Sequence, residues 1–389
     1  MKNITRTFSI AILLLSFVFT SCSNEGNYSG KAVGKTVDFD SIIKKEKVEP
    51  LAEIYYKHGN FINTKQFPPI VRANQVLDHI NNWLIIDIRK ADAYEAGHIN
   101  GAYNVPKDEI IDFLTTKQKA AAYEKVVIVC YSGQMASYVT GVLRFAGFDN
   151  VYVMLFGMAA WNSQFSGILK KGFAKKYSNW VVQSDDDTSE KEGAEKEASK
   201  ESITQIEQKL PSLDQTIPTV LMMERARKLL KQGRKSFLLK VDEVIPEIKA
   251  NQDKYFTIFY LNKQKYDAGH LKGSKLYLSR KDLSLDHKLA DLPKDKDILV
   301  YCKTGHTGGN ATAYLDMLGY KAHNLMFGYN SFRYDPSSYP VDNYINDFPV
   351  IEGKKRTSNK VVASAPAKKS ATKVKIVKRK KKEVSGGCG

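Results

Sequence analysis

At 389 residues the chain is long enough for two domains with connecting segments, and its 43% hydrophobic and 26% charged content excludes a chain without packed cores. The net charge of +17 has the size of a nucleic-acid signal, but residues 354–389 hold thirteen Lys or Arg against the single Glu383, a surplus of twelve, which leaves +5 for everything else. A body that weakly basic offers no electrostatic footprint for DNA or RNA, so no nucleic-acid partner is expected.

The first predicted element is a targeting segment over residues 1–21. Lys2 and Arg6 precede an apolar run at 8–19 that is too short to span a bilayer and ends in Phe19-Thr20-Ser21-Cys22. Small residues directly before a cysteine resemble the lipobox of bacterial lipoproteins, although Phe19 stands where Leu is usual. That resemblance implies that Cys22 is lipidated, becomes the mature N-terminus and anchors the chain; lipid adds about 0.8 kcal/mol per buried CH₂. An ordinary signal peptide cut nearby is the alternative. Either reading takes the mature chain out of the cytoplasm; the lipid-anchored one places it at the bacterial cell envelope, facing the periplasm or exterior. Residues 22–67 read as a polar spacer, and no later segment is apolar enough to span a membrane. The four cysteines, at 22, 130, 302 and 388, are too few for a disulfide scaffold, so each is read for its own reactivity.

Further along, short apolar runs bounded by turn signals predict buried strands at 84–88, 126–130 and 151–155. Helices are predicted at 73–80 and 135–145. A stretch of Asp, Glu, Lys and Ser around 183–202, within a linker set at 171–214, has no large apolar residue to offset the entropy of ordering. Beyond it the pattern returns: a helix at 219–230, strands at 256–260, 298–302 and 322–326, and a helix at 309–318. Strand and helix alternate as in a parallel sheet covered on both faces.

The second half repeats the first. Ala96-Gly97-His98 puts its histidine 32 positions before Cys130, and Ala268-Gly269-His270 does the same before Cys302. Past the cysteines, Leu143, Gly147 and Phe148 are matched by Leu315, Gly319 and Tyr320, and Phe156-Gly157 by Phe327-Gly328 after a one-residue deletion.

Each cysteine ends a buried strand and opens a loop that leads into a helix: Cys130-Tyr131-Ser132-Gly133-Gln134-Met135 and Cys302-Lys303-Thr304-Gly305-His306-Thr307. Backbone N–H groups converging at a helix N-terminus, with a glycine free to take positive φ, form an anion-binding nest that is expected to lower the thiol pKa. The thiolate would then act as nucleophile.

Cys-x-x-Gly after a buried strand, with Asp87-x-Arg89 and Ala96-Gly97-His98-Ile99-Asn100-Gly101-Ala102 before it and Phe156-Gly157-Met158-Ala159-Ala160-Trp161 after it, resembles the rhodanese family. The resemblance covers residues 68–170 and 215–345. It implies an α/β fold of two rhodanese-like domains, each a doubly wound, mostly parallel sheet with helices on both faces. It also implies a sulfurtransferase, without cofactor, that moves a sulfane sulfur from thiosulfate, polysulfide or an organic persulfide through a cysteine persulfide to a thiol or cyanide acceptor. Cys130 and Cys302 become the catalytic positions. Tyr131, Ser132, Gly133, Gln134 and Met135, with Lys303, Thr304, Gly305, His306 and Thr307, become the substrate-binding loops, and Asp87 and Arg89 a structural support. The second copy departs from the pattern, with Phe259 and Leu261 where Asp87 and Arg89 stand.

Charge separates the two loops: Lys303 and His306 suit a thiosulfate dianion, whereas the first loop has no cation and suits polysulfide or organic persulfides. A Cys-x₅-Arg phosphatase is disfavoured because Ala136 and Gly308 occupy the arginine position. His98 and His270 read as turn residues. His306 stays open between a donor-binding and a plain solvent-facing histidine, and no metal constellation is apparent. The basic tail, set at 346–389, is either a solvated end or a contact for anionic lipid and other envelope polyanions. Its terminal Cys388, among glycines, suits a sulfur relay or is a leftover thiol. A non-catalytic sulfur-binding or protein-interaction module is the alternative to an enzyme.

Overall fold

The computed structural model describes residues 59–182, 219–285 and 287–354. Cys22 and the export segment, most of the polar linker, the basic tail beyond 354 and Cys388 lie outside the described residues.

Two five-stranded sheets form, all of their pairings parallel. In the first module the strands are β1 (Ile70–Val71), β2 (Leu84–Asp87), β3 (Tyr103–Asn104), β4 (Val126–Val129) and β5 (Val151–Met154), in the order β1-β5-β4-β2-β3. After a short β6 (Val181–Val182), the second module has β7 (Leu238–Leu239), β8 (Phe256–Leu261), β9 (His270–Leu271), β10 (Lys275–Leu278), β11 (Ile298–Tyr301) and β12 (Ala322–Leu325). Its sheet order, β7-β12-β11-β8-β10, repeats that of the first. The apolar runs become strands because both sheet faces are covered: β2, β4, β11 and β12 are buried at every position. The short strands β1, β3, β7 and β10 carry no comparable run, and tertiary pairing alone defines them.

Three helical layers cover the sheets. α1 (Ala73–Asp78) lies on the outer face of the first sheet with Val127, Val129 and Trp161. On the outer face of the second sheet α4 (Val241–Ala250) packs against Leu299 and Tyr301. Between the sheets, the helices that follow the cysteine loops, α2 (Gln134–Phe145) and α5 (His306–Met317), share one continuous core with α3 (Thr219–Lys231). That core takes Ile86 and Ile128 from one sheet and Ile258 and Val300 from the other.

α2 and α5 run side by side in the same direction, and small residues let them touch. A Cβ added at Gly309 would lie 2.9 Å from Ser137 Cβ, and one at Gly141 would lie 2.7 Å from Ala313 Cβ and 3.0 Å from the Asn310 carbonyl. Further along the pair, Tyr138 donates to Asp316 Oδ2 at 2.7 Å and the Ala322 N–H donates to Oδ1 at 3.0 Å. Burial pushes the Asp316 carboxyl up to about 7, against the pull of those two donors and of Arg225.

Composition placed three segments outside the modules that the structure puts against them. Residues 59–67, assigned to the spacer, pack on the second module: the Phe67 ring meets Tyr260 at 6.2 Å, and Asn63 Nδ2 donates to the Leu283 carbonyl at 3.2 Å. Residues 171–182, assigned to the linker, supply β6, which pairs antiparallel with β9. Residues 346–353, assigned to the tail, return to the first module, where the Asn346 and Phe348 N–H groups donate to the Ala160 and Trp161 carbonyls at 3.1 Å each. Each segment holds a few apolar anchors, such as Phe67, Val181 and Phe348, that a long polar window dilutes.

The helix contact yields a stability test. Gly141→Val puts branched carbon where Ala313 and the Asn310 carbonyl already lie, and overpacking of this kind costs about 1–3 kcal/mol. Urea unfolding should show the lower midpoint, while the same change at Gly167, which has open space around it, should cost less.

Candidate active site

Both cysteines sit where a strand hands over to a helix. Gly133 (φ +87°) and Gly305 (φ +83°) are the left-handed caps of α2 and α5, a conformation that favours glycine. The Gly133 N–H donates to Cys130 Sγ at 3.2 Å. In the second loop the Gly305 and Gly308 N–H groups donate to Cys302 Sγ at 3.2 and 3.4 Å. A second turn clasps each loop from behind: Met158 and Ala159 N–H donate to the Cys130 and Tyr131 carbonyls, and Tyr329 and Asn330 N–H to those of Cys302 and Lys303. A Cβ on Gly157 or Gly328 would overlap the cysteine carbonyl, so this close approach needs glycine at both places.

Both thiols are deeply buried, at 3% and 1% exposure. Burial pushes the Cys130 thiol up; the N–H groups of Ala136, Ser132 and Gly133 pull against it without prevailing, and Asp87 adds a smaller push upward. The expectation that the nest lowers this pKa is therefore corrected: desolvation of the thiolate outweighs the N–H groups that hold it.

The candidate loop residues divide by direction. Tyr131 is 42% exposed, beside the sulfur, with the Arg89 guanidinium 5.6 Å from its ring centre. Met135 is half-buried. Ser132 is buried and donates to Gln134 Oε1. Gln134 points away from solvent, and its Nε2 donates to the Thr304 carbonyl in the other module at 3.2 Å. Lys303 is half-buried with its ammonium 4.6 Å from the Tyr339 ring centre, and its pKa is lowered by burial and by repulsion from Lys265. Thr304 and Thr307 are buried.

His306 corrects both of its readings. It has no exposed surface and takes a hydrogen bond on Nε2 from the Phe156 N–H of the first module at 3.0 Å. Burial pushes its pKa down to about 3, so it carries no charge for an anionic donor. His98 and His270 each bond through Nδ1 to the carbonyl of Tyr94 or Tyr266 and stack on that ring at 3.6 Å.

Asp87 and Arg89 form a buried ion pair: Arg89 Nη2 reaches Asp87 Oδ2 and the Gly97 carbonyl at 2.7 Å each, tying the strand end to the turn before His98. In the second module Phe259 and Leu261 fill this space with carbon. Tyr301, at the position of Val129, restores one tie, since its oxygen accepts the Leu271 N–H at 2.8 Å and pairs with Ser274 Oγ at 2.8 Å. Nothing in the repeat pattern marks Tyr301. Among the described residues no His, Cys, Asp and Glu gather into a group that could hold a metal ion.

The Rhodanese-like domain family model matches residues 72–164 and 253–335. The thiosulfate sulfurtransferase GlpE of Pseudomonas entomophila (strain L48) is 33% identical over 92 residues, 24% of this chain and 82% of that protein. The chain belongs to the rhodanese-like sulfurtransferase family. A thiosulfate sulfurtransferase GlpE from Pseudoalteromonas translucida (strain TAC 125) is 34% identical over 97 residues, 25% of this chain and 89% of its own. The crystal structure of SseA from Escherichia coli, a 3-mercaptopyruvate sulfotransferase, aligns with 67% of this chain and 99% of its own at 16% identity and a TM-score of 0.24. The tandem, two rhodanese-like modules on α/β parallel sheets, is as the repeat implied.

Two tests follow from the buried polar groups of this rhodanese-like tandem. Arg89→Met leaves Asp87 buried and unpaired and should cost about 3–5 kcal/mol, whereas Asp87→Leu with Arg89→Met, which imitates the second module, should cost less than either single change. Denaturant titration of the three variants checks this. For His306, the unfolded ring protonates near ~6.5 and the folded one near 3, so the unfolded state binds more protons between those values. Stability from this group is complete above about 6.5 and is lost as pH falls toward 3. Between pH 7.5 and 5, wild type should lose more unfolding free energy than His306→Gln; parallel profiles would contradict the assignment.

Proposed function

We propose that the protein is a persulfide-forming sulfurtransferase in which Cys130 is the principal nucleophile. The observation that supports this reading is the Cys130 sulfur held under the Gly133 N–H at the start of α2, beside an exposed Tyr131. The thiolate attacks the sulfane sulfur of the donor, a new S–S bond forms, and the old one breaks with its electron pair on the leaving group, which is sulfite when the donor is thiosulfate. An acceptor thiolate then takes the outer sulfur, and the electron pair of the broken bond returns to Cys130. Loop N–H groups stabilise the negative charge on Cys130 Sγ, carried by the attacking thiolate in the first step and by the leaving thiolate in the second.

Donor preference differs between the sites on this reading. Arg89 is committed to Asp87, so the first loop offers Tyr131 and half-buried Met135, which suit polysulfide or an organic persulfide. The second loop keeps Lys303 for an anionic donor such as thiosulfate. For Cys302 a second reading, a sulfur-holding rather than a turning-over thiol, is favoured by half-buried Lys303 and buried Thr307 standing where the first loop has exposed Tyr131 and half-buried Met135. We further propose that Cys22 is the lipid anchor at the envelope, that the basic tail contacts anionic lipid there, and that Cys388 relays sulfur. Cys388→Ser with unchanged turnover to the physiological acceptor would count against the relay.

The enzyme reading is tested by intact mass. After polysulfide or thiosulfate, wild type should gain a sulfur atom that a thiol or cyanide removes, and Cys130→Ser should lose most of the polysulfide-derived gain. If no cysteine gains a labile sulfur from either donor, the transferase reading fails and the binding-module alternative stands.

A further inference from the structure

Gln134 and His306 occupy one position of the repeat: the first helical residue after the left-handed glycine. Both are polar and almost fully buried, at 1% and 0% exposure. Each makes one hydrogen bond in its own loop and one in the other module. Gln134 Nε2 donates to the Thr304 carbonyl, and His306 Nε2 accepts the Phe156 N–H. The glycines of the two loops carry the same exchange in their packing. A Cβ on Gly133 would overlap the His306 ring, and one on Gly305 would come within 3.0 Å of Gln134 Cγ.

These contacts lead to the sulfurs. The Thr304 carbonyl and the Gly305 N–H belong to one planar peptide, and that N–H donates to Cys302 Sγ. By holding the carbonyl, Gln134 fixes the plane that aims the donor at the other module's thiol. In the reverse direction His306 lies against Gly133, whose N–H donates to Cys130 Sγ. It also holds the Phe156 N–H, two residues before the Met158 N–H that clasps the Cys130 carbonyl. Because Nε2 accepts, the ring proton is on Nδ1, where it faces Thr304 Oγ1 at 3.1 Å and fixes the ring in its own loop.

We infer that Gln134 and His306 are reciprocal positioning residues, through which each module shapes the other's cysteine loop, so that the reactivity of Cys302 depends on Gln134 and that of Cys130 on His306. The inference rests on the reading of both cysteines as reactive thiols. It does not require that either one turns over.

The test measures the alkylation rate of each thiol in the full-length chain with iodoacetamide, resolved by peptide mass mapping over a pH series. Gln134→Met keeps shape and removes the donor; it should change the rate at Cys302 by roughly fivefold, the scale of one hydrogen bond that no longer holds its partner. His306→Leu should change the rate at Cys130 to a similar degree, and His306→Gln, which keeps an acceptor, should restore it. If His306→Leu does not fold, the near-isosteric Gln134→Met decides the matter alone. A change confined to the thiol of the substituted loop, or no change at either, overturns the proposal. Cross-effects in a protein that never transfers sulfur would defeat the sulfurtransferase reading and leave this one intact; sulfur transfer without cross-effects would do the reverse.

Discussion

The close parallel packing of α2 against α5 is the contact on which the rest of this molecule depends. It requires glycine at 141 and 309, because side chains there would meet Ala313, the Asn310 backbone and Ser137. Once the helices touch, their N-termini lie at the same end, and both cysteine loops are built over those N-termini. Two parallel helix dipoles repel weakly, but together they favour negative charge at that end, which suits a thiolate or persulfide. The same contact buries Gln134 and His306, and a buried polar side chain has to find its partner inside the protein.

Around that shared layer the modules solve one structural problem in two ways. The first ties strand end to turn with the Asp87–Arg89 pair; the second uses Phe259, Leu261 and the Tyr301 oxygen. Replacing a buried ion pair by packed carbon is often neutral or stabilising, so the lost motif in the second module does not by itself signify a weaker fold. What distinguishes the loops is access. Tyr131 is exposed and Met135 half-buried beside Cys130, whereas at the matching positions beside Cys302 Lys303 is half-buried and Thr307 buried.

The thiol at Cys130 shows how opposed effects are decided by magnitude. A nest of N–H groups favours thiolate, and burial disfavours it; here burial prevails. On the proposed chemistry, the N–H donors already aimed at the sulfur stabilise its charge when the thiolate forms.

Local chemistry made much of this legible from the sequence. Apolar runs marked the central strands because both sheet faces are buried. The fixed spacing from His98 to Cys130 and from His270 to Cys302 marked the repeat, and the glycines at 133 and 305 marked the left-handed turns beneath the sulfurs. Tertiary structure alone decided where Gln134 and His306 point, why Tyr301 matters, and that residues 59–67, 171–182 and 346–353 belong to the folded body. The physical reason is that sequence periodicity reports that a residue is buried and which local conformation it prefers. It does not report which distant segment supplies the neighbour, and His306 is set by Phe156, 150 residues away.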